Sequence, residues 1–410
     1  MADVSRSTKP MIFSTYWFIV AIAVFLPLYF LVRNRHFRFG ALILFCIIFH
    51  THFAGPAGVV PIVILGFVTF FAARSRHPIA CALSIALCVG SLCFYKYTHF
   101  FVTELLSHIN PLLAEQAARQ TSALLPAAPP LAISFFAFEF IHYLYEVKKG
   151  GEPIKNIFEF AQFTLFFPSL VAGPIKRYTD FIPSLHRGLQ SANTHDIIVG
   201  ICRVMGGFFK KSVIADNLTL YITATGPKFA TLSLPERWMF VIAIALRIYF
   251  DFSGYTDMAI GFARVLGVRL PQNFNWPYVA KNIQDFWQRW HISLSSWIRD
   301  YVYIPLGGSR HGLIRRVTNG ILAFALCGLW HGAAWNFLLW GLYHGVGLAI
   351  CSSYRKVFGP FGTTLGSFFD KAPAVSWVVT MLFVGIGWLL FFYPTQQACD
   401  MARLLFVSSI

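Results

Sequence analysis

Apolar stretches, most of them close to the length that crosses a bilayer, run from one end of this chain to the other: 11–32, 40–53, 57–73, 80–97, 196–223, 238–263, 317–335, 336–351 and 375–393. About twenty apolar residues in a helix cross the hydrocarbon core, and there only helices and closed barrels satisfy their own backbone. Charged residues make up 12% of the 410-residue chain, against about a quarter in a soluble domain. The mean hydropathy is +0.61. These features predict an all-α polytopic membrane protein. Several stretches fall short of twenty residues, so tilted, half-inserted or re-entrant helices are expected. The first stretch lacks a small-residue cleavage site and reads as an anchor that is kept.

The formal charge of +16 then reports topology. No basic run is long enough for a nucleic-acid partner, and the Lys and Arg residues are scattered between apolar stretches. Positive residues concentrate in cytoplasmic loops. Arg33, Arg35 and Arg38 follow the first stretch, Arg74 and Arg76 the third, and Lys148, Lys149 and Lys155 a later one. The connection 98–129 carries Glu104 and Glu115 against Arg119 alone. This alternation puts the amino terminus outside and the three basic loops in the cytoplasm. The eight cysteines include no CxxC pair and lie mostly within apolar stretches, as small hydrophobes do. Neither a disulfide framework nor a metal site is expected.

The chain reads as a single integral membrane domain, 1–410. A scaffold of lipid-facing spans, 1–129, ends in a Pro- and Ala-rich external connection at 110–130 with a short surface helix. A polar-studded core, 130–351, carries Glu139, His142, Lys210-Lys211, Asp251, Asp257, Arg289, Arg299 and Asp300. A last span lies in 352–410. Lipid-facing helices cannot carry such charges cheaply, so the core segments must face one another or a wet cavity. The stretch 158–174, interrupted by Pro168 and Gly173-Pro174, reads as a re-entrant element.

Two Trp-His pairs, Trp290-His291 and Trp330-His331, stand in the most apolar third of the sequence. An ionisable residue at membrane depth is a functional candidate by default. Burial favours the neutral imidazole that a general base requires. A lone His331 would read first as a core histidine satisfied by a carbonyl. Its flanking Gly328 and Gly332, which admit a close backbone or ligand, and the second histidine turn the reading towards proton chemistry. Around His291 stand Trp287, Trp297, Ser293, Ser295 and Ser296, bracketed by Arg289 and Arg299-Asp300. As one helix, Phe286, Arg289 or Trp290, and Ser293 share a face. Two readings stay open: an interfacial helix with snorkelling arginines, or a holder for an acceptor hydroxyl or a thioester.

The remaining polar groups read as architecture. Asp251 and Asp257 lie six residues apart and share no helical face unless Gly254 breaks the helix; they suit Arg247, Arg289 or Arg299 as partners. Lys176-Arg177 and Lys210-Lys211 are expected at headgroups, though an anionic donor could use them. Tyr301-Val-Tyr-Ile-Pro-Leu-Gly-Gly308 reads as a helix end. No P-loop and no GxSxG elbow occurs.

Trp290-His-Ile-Ser-Leu-Ser-Ser-Trp-Ile-Arg-Asp-Tyr-Val-Tyr-Ile-Pro-Leu-Gly-Gly308, followed by Gly328-Leu-Trp-His-Gly-Ala333, closely resembles the membrane-bound O-acyltransferase (MBOAT) family, best its bacterial alginate O-acetyltransferase-like branch. Phe250-Asp-Phe-Ser-Gly-Tyr-Thr-Asp257, Asn273-Phe-Asn-Trp-Pro-Tyr278, Val171-Ala-Gly-Pro174 and Met11-Ile-Phe-Ser14 have counterparts in that branch. The resemblance implies a bundle of roughly eleven transmembrane or re-entrant helices around a central tunnel. It implies that His331 is the essential catalytic residue and His291 its companion. Trp290, Trp330, Ser293 and Ser295 would shape the substrate pocket, with Arg289 and Asp300 beside it. No bound cofactor is implied; the donor is acetyl-CoA or another acyl thioester.

The expected function is transfer of acetyl from cytosolic acetyl-CoA towards an exported or cell-envelope polysaccharide. The resemblance suggests a bacterial inner-membrane location and a periplasmic or extracellular SGNH-like acetyltransferase partner. The end at Ile410, nearer in length to the D-alanyl transferases of teichoic acids, and the charged Glu139 and His142 leave the acceptor open. D-alanyl or other acyl transfer to a polymer, protein or lipid is the nearest alternative. A proton-coupled transporter is the alternative of another class, and the absence of repeat symmetry argues against it.

Overall fold

The computed structural model describes residues 12–126, 129–191 and 193–407, and among these the chain is helical with no strand. Met11, the first residue of one motif above, lies outside them. Among the described residues five helices are long and apolar enough to cross a membrane: Arg35–Ser75, Pro78–Ile109, Leu234–Val265, Gly312–His331 and Pro373–Phe392. A shorter apolar helix, Tyr16–Leu31, is capped by Thr15, whose hydroxyl accepts from the Phe18 amide at 3.3 Å. The chain is a multi-pass helical membrane protein. Helices also cover the stretches 196–223, where a π-turn at Phe209–Ala215 interrupts them, and 336–351, inside Trp335–Val357. The described residues divide into two compact units, one of 12–205 with 257–271 and the other of 206–256 with 272–407.

In the first unit, the helix Arg35–Ser75 holds 41 residues, which if straight would measure about 60 Å, twice a bilayer core. It is not straight. Gly55 leaves the helical region with φ 64° and ψ 172°, and Pro56 follows without an amide donor. The Phe39 carbonyl accepts from the Gln162 side chain at 3.0 Å, and the Phe70 ring lies 5.5 Å from that of Phe160. Both partners sit on the nine-residue helix Ile157–Leu165, only about 14 Å long. A straight helix would separate Phe39 from Phe70 by about 46 Å. The two halves therefore lie side by side, and 40–53 and 57–73 are separate crossings, as hydropathy predicts.

This fold-back brings the basic loops to one end. Phe39 and Phe70 being level, Arg38 and Arg74 leave the pair at the same end. Arg76 forms an ion pair with Glu152, next to Lys148 and Lys149. The charge alternation thus matches the geometry of this unit. At the other end of Pro78–Ile109, the short helix expected in the external connection is Pro111–Leu124, with the Asn110 side chain accepting from the Leu113 amide at 3.1 Å.

The segment 158–174 forms the short helix Ile157–Leu165 and then turns through Pro168 to Gly173 with Phe166, Phe167 and Leu170 buried. A side chain at Gly173 would collide with the Ser169 backbone. Just beyond it, Lys176 departs from the headgroup position expected. It is 1% exposed and pairs with Glu139, itself 5% exposed, on the helix Ile133–Lys148. The reason lies in the carboxylate: a buried charge is tolerated only when paired.

In the second unit, Gly254 does not break the helix Leu234–Val265. It lets the Gly207 carbonyl approach, which a Cβ would meet at 2.8 Å. Asp251 and Asp257 stay on different faces. Asp251 takes Lys211 at 2.9 Å and Arg247 at 3.6 Å, whereas Asp257, past the unit boundary, takes Arg203 at 2.8 Å. Of the three arginines expected as partners only Arg247 serves; Arg289 pairs with Asp285 and Arg299 with Asp300. Lys211, which also holds Asp216 at 2.7 Å, is likewise no headgroup anchor.

Candidate active site

The stretch Phe286–Ser295 does not form the single helix its spacing predicts. Ile283–Arg289, with the Asn282 side chain accepting from the Asp285 amide at 2.8 Å, stops at Trp290, and Ile292–Ile298 begins after His291. His291 joins them in the left-handed region at φ 43° and ψ 53°. For a residue with a Cβ that conformation costs on the order of 1–3 kcal/mol and persists only where its surroundings impose it. Asn273, fully buried, imposes it. Its side-chain oxygen accepts the Ser293 hydroxyl at 2.5 Å and the Ser293 amide at 3.3 Å, and its carbonyl accepts the Ile292 amide at 2.9 Å. The side-chain amide of Asn273 donates to the Thr256 hydroxyl at 3.4 Å. Ser293 is thus part of the clamp. Replacing Asn273 by Ala should lower stability by roughly 1–3 kcal/mol, because buried donors lose their acceptor. Thermal unfolding of the purified protein reads this, and an unchanged midpoint would contradict the clamp.

His331 is the last residue of the helix Gly312–His331, half-buried where that helix turns through 332–334 into Trp335–Val357. The flanking glycines have separate packing reasons. A Cβ on Gly328 would strike the Phe337 carbonyl, one on Gly332 the Phe337 ring, and one on Gly341 the Phe324 carbonyl. The close neighbour that these glycines admit is the facing helix. It brings Trp340 against His331, with ring centroids 5.2 Å apart, while Phe391 packs on His331 at 5.0 Å and Trp330 at 4.8 Å.

The two histidines meet. Their ring centroids are 6.5 Å apart, and His291 also lies 6.0 Å from Trp330 and 4.6 Å from the edge-on Phe252 ring. His291 is 1% exposed, and its Nε2 has no hydrogen-bond partner among the described residues. It lies outside the five spanning helices. Burial, reinforced by the neighbouring His331, holds it well below the usual histidine range and so uncharged.

The other residues expected at the site are placed differently. Trp290 is buried in an aromatic cluster with Phe286, Phe274 and Trp388 at centroid distances of 5.7, 5.0 and 4.8 Å. Ser295 donates to the Trp290 carbonyl at 3.3 Å. Arg289 holds the Asp285 carboxylate at 2.6 Å and the Asn275 carbonyl at 3.3 Å, and Arg299 binds Asp300 at 2.7 Å. Arg289 and Asp300 therefore brace the motif; they do not reach the histidines by these contacts.

A cavity of about 700 Å³ opens within the same unit. Gly320, Ala323, Phe324 and Cys327 line it from the His331 helix, and Ile292, Ser295, Ser296 and Arg299 from the segment that follows His291. Neither imidazole is among its lining residues. At spacings of three and four, the stripe 320–324–327 continues to 331, so His331 caps that wall. Tyr303, Ser309 and Arg316 also line it. Arg316 stands fifteen residues before His331, about 22 Å along the helix axis.

Residues 147–394 match the family model of the membrane-bound O-acyltransferases. The chain belongs to the membrane-bound O-acyltransferase family. It is 39% identical over 315 residues to the "Probable alginate O-acetylase AlgI" of Azotobacter vinelandii, covering 75% of this chain and 58% of that protein. The "Peptidoglycan O-acetyltransferase" of Helicobacter pylori is 36% identical, over 74% of this chain and 60% of its own length. The "Teichoic acid D-alanyltransferase" of Bacillus subtilis is 29% identical, over 71% of this chain and 77% of its own. The chain thus spans less than two thirds of the first two relatives.

Sequence reasoning missed two residues of this centre. Asn273 appeared only inside a longer motif, because polar residues in irregular chain give no periodic signal. His344, whose ring lies 5.0 Å from that of Trp340, was passed over. Its position in Trp340-Gly-Leu-Tyr-His-Gly345, beside glycines as His331 is, was the available signal.

Proposed function

We propose that this family member transfers an acyl group from a thioester to a hydroxyl, with His331 as general base and His291 as its companion. The observation that carries the reading is the close approach of a half-buried and a fully buried imidazole, their ring centroids 6.5 Å apart. His331 takes the proton of the acceptor hydroxyl as its oxygen attacks the thioester carbonyl. The C–S bond then breaks, and the thiolate leaves with that proton. His291, uncharged and with a free Nε2, orients the acceptor or the carbonyl. Aromatic rings around both exclude water from the transfer.

The acyl group is acetyl and its donor acetyl-CoA, whose phosphates suit Arg316 in the cavity lining. The acceptor is an exported polysaccharide, with an SGNH-like protein outside the bacterial inner membrane completing the transfer. Two O-acetylating relatives, alginate- and peptidoglycan-directed by name, support this choice. A D-alanyl transfer is the second reading, favoured by the 29% identity to the teichoic acid D-alanyltransferase. Labelled acetyl-CoA and a D-alanyl thioester on a carrier protein, offered in turn to the purified protein, separate the two. Consumption of acetyl-CoA is expected; consumption of the D-alanyl thioester alone would replace the first reading by the second.

A further inference from the structure

Behind the cavity wall, against Trp287, lies a third imidazole that the transfer chemistry does not use. His344, on the helix Trp335–Val357, is 0% exposed. Its Nδ1 accepts the indole N–H of Trp287 at 3.3 Å, and Trp287 lines the cavity. The acceptor nitrogen must carry no proton, so the other nitrogen, Nε2, does. That N–H has no partner among the described residues, and the space beside it exists because residue 387 is glycine: a Cβ there would come within 2.8 Å of Nε2. A buried donor left without a partner is costly, so packing alone does not account for a histidine here.

The neighbouring rings show what the bond fixes. Trp287 stands edge-on to Phe324 at 4.8 Å, and Phe324 is itself part of the cavity wall. Trp340 lies 5.7 Å from Trp287, 5.0 Å from His344 and 5.2 Å from His331. The Trp287 indole is therefore a pinned panel of the cavity wall, linked through Trp340 to the catalytic imidazole. The helix that carries Phe324 adds small side chains to the wall, Gly320, Ala323 and Cys327.

We propose that His344 is a positioning residue: by accepting the Trp287 N–H it holds that indole against the cavity and sets the length of acyl group the cavity admits. This rests on the reading of the cavity as the donor site. It assigns selection of short acyl groups to a bond outside the reacting atoms.

The test compares His344→Ala with His344→Asn. Asparagine offers an amide oxygen at the place of Nδ1, so the panel stays pinned although the side chain is smaller; alanine removes the acceptor and leaves room for Trp287 to lean back. Turnover of acetyl-, butyryl- and hexanoyl-CoA is measured for both, together with Trp287→Phe, which removes the donor. His344→Ala and Trp287→Phe should raise the hexanoyl-to-acetyl ratio of kcat/KM by about tenfold, the scale on which a pocket distinguishes a few methylenes. The double variant should add nothing to either single one. His344→Asn should stay near the wild-type ratio. An unchanged ratio in His344→Ala, or equal ratios in the Ala and Asn variants, overturns the proposal.

A readout independent of turnover guards against failure of the donor reading. Cys327, on the same cavity wall, is labelled with a methyl and a benzyl thiosulfonate, and the modified peptide is quantified by mass spectrometry. Benzyl modification of Cys327 should be faster in His344→Ala than in His344→Asn. Equal rates refute the positioning role even where no variant transfers an acyl group, whereas failure of every thioester with the wild type refutes the donor reading alone.

Discussion

His331→Ala should lower acyl transfer by about 10²–10⁴-fold, the range a general base supplies, while the protein remains folded. The side chain is half-buried at a helix end, and alanine suits the last turn of a helix, so its truncation disturbs the fold little. His291→Ala should also be severe for a second reason. It removes the companion imidazole and leaves a β-carbon in a left-handed turn that Asn273 must still hold. His291→Gly separates these effects, since glycine adopts φ 43° freely. The glycine variant should be at least as stable as alanine and just as inactive. A fully active His331→Ala would remove His331 from the mechanism.

Lys176→Met should be among the most destabilising single changes in the other unit. It leaves the Glu139 carboxylate buried without its partner, and breaking such a pair costs about 3–5 kcal/mol. With total stabilities of roughly 5–15 kcal/mol, a loss of that size should reduce the folded yield. The double change Glu139→Leu with Lys176→Met should recover most of it, because an apolar pair of similar volume needs no counter-charge. Thermal unfolding in detergent measures both. A single variant as stable as the wild type would show that the pair carries no such strain.

What was legible in the sequence, and what was not, divides along physical lines. Hydropathy is local, so the crossings at 40–53 and 57–73 could be read as two; Gly55 and Pro56 mark the reversal. The basic loops were legible for the same reason, since each lies next to the stretch it terminates. The partnership of Lys176 with Glu139 was not legible, because 37 residues separate them and each alone resembles a surface charge. The helix break at His291 was hidden as well. Apolar spacing runs through Phe286–Ser295, and the strain comes from Asn273, twenty residues from Ser293. At the site itself, the meeting of His291 with His331 was legible as a pair of similar motifs. The roles of Arg289 and Asp300 were not, because their partners Asp285 and Arg299 lie close in sequence and take up their charge. The glycines beside His331 were read as room for a backbone or a ligand, and the fold uses them for the facing helix.

Release of free thiol from acetyl-CoA, followed with wild-type protein in detergent in the presence and absence of a polysaccharide acceptor, tests the account at its centre. The account predicts thiol release that depends on acceptor, with the label appearing on the acceptor, and loss of both in His331→Ala. Substrate flux across liposomes by the same protein with no thioester consumed under any condition would contradict it.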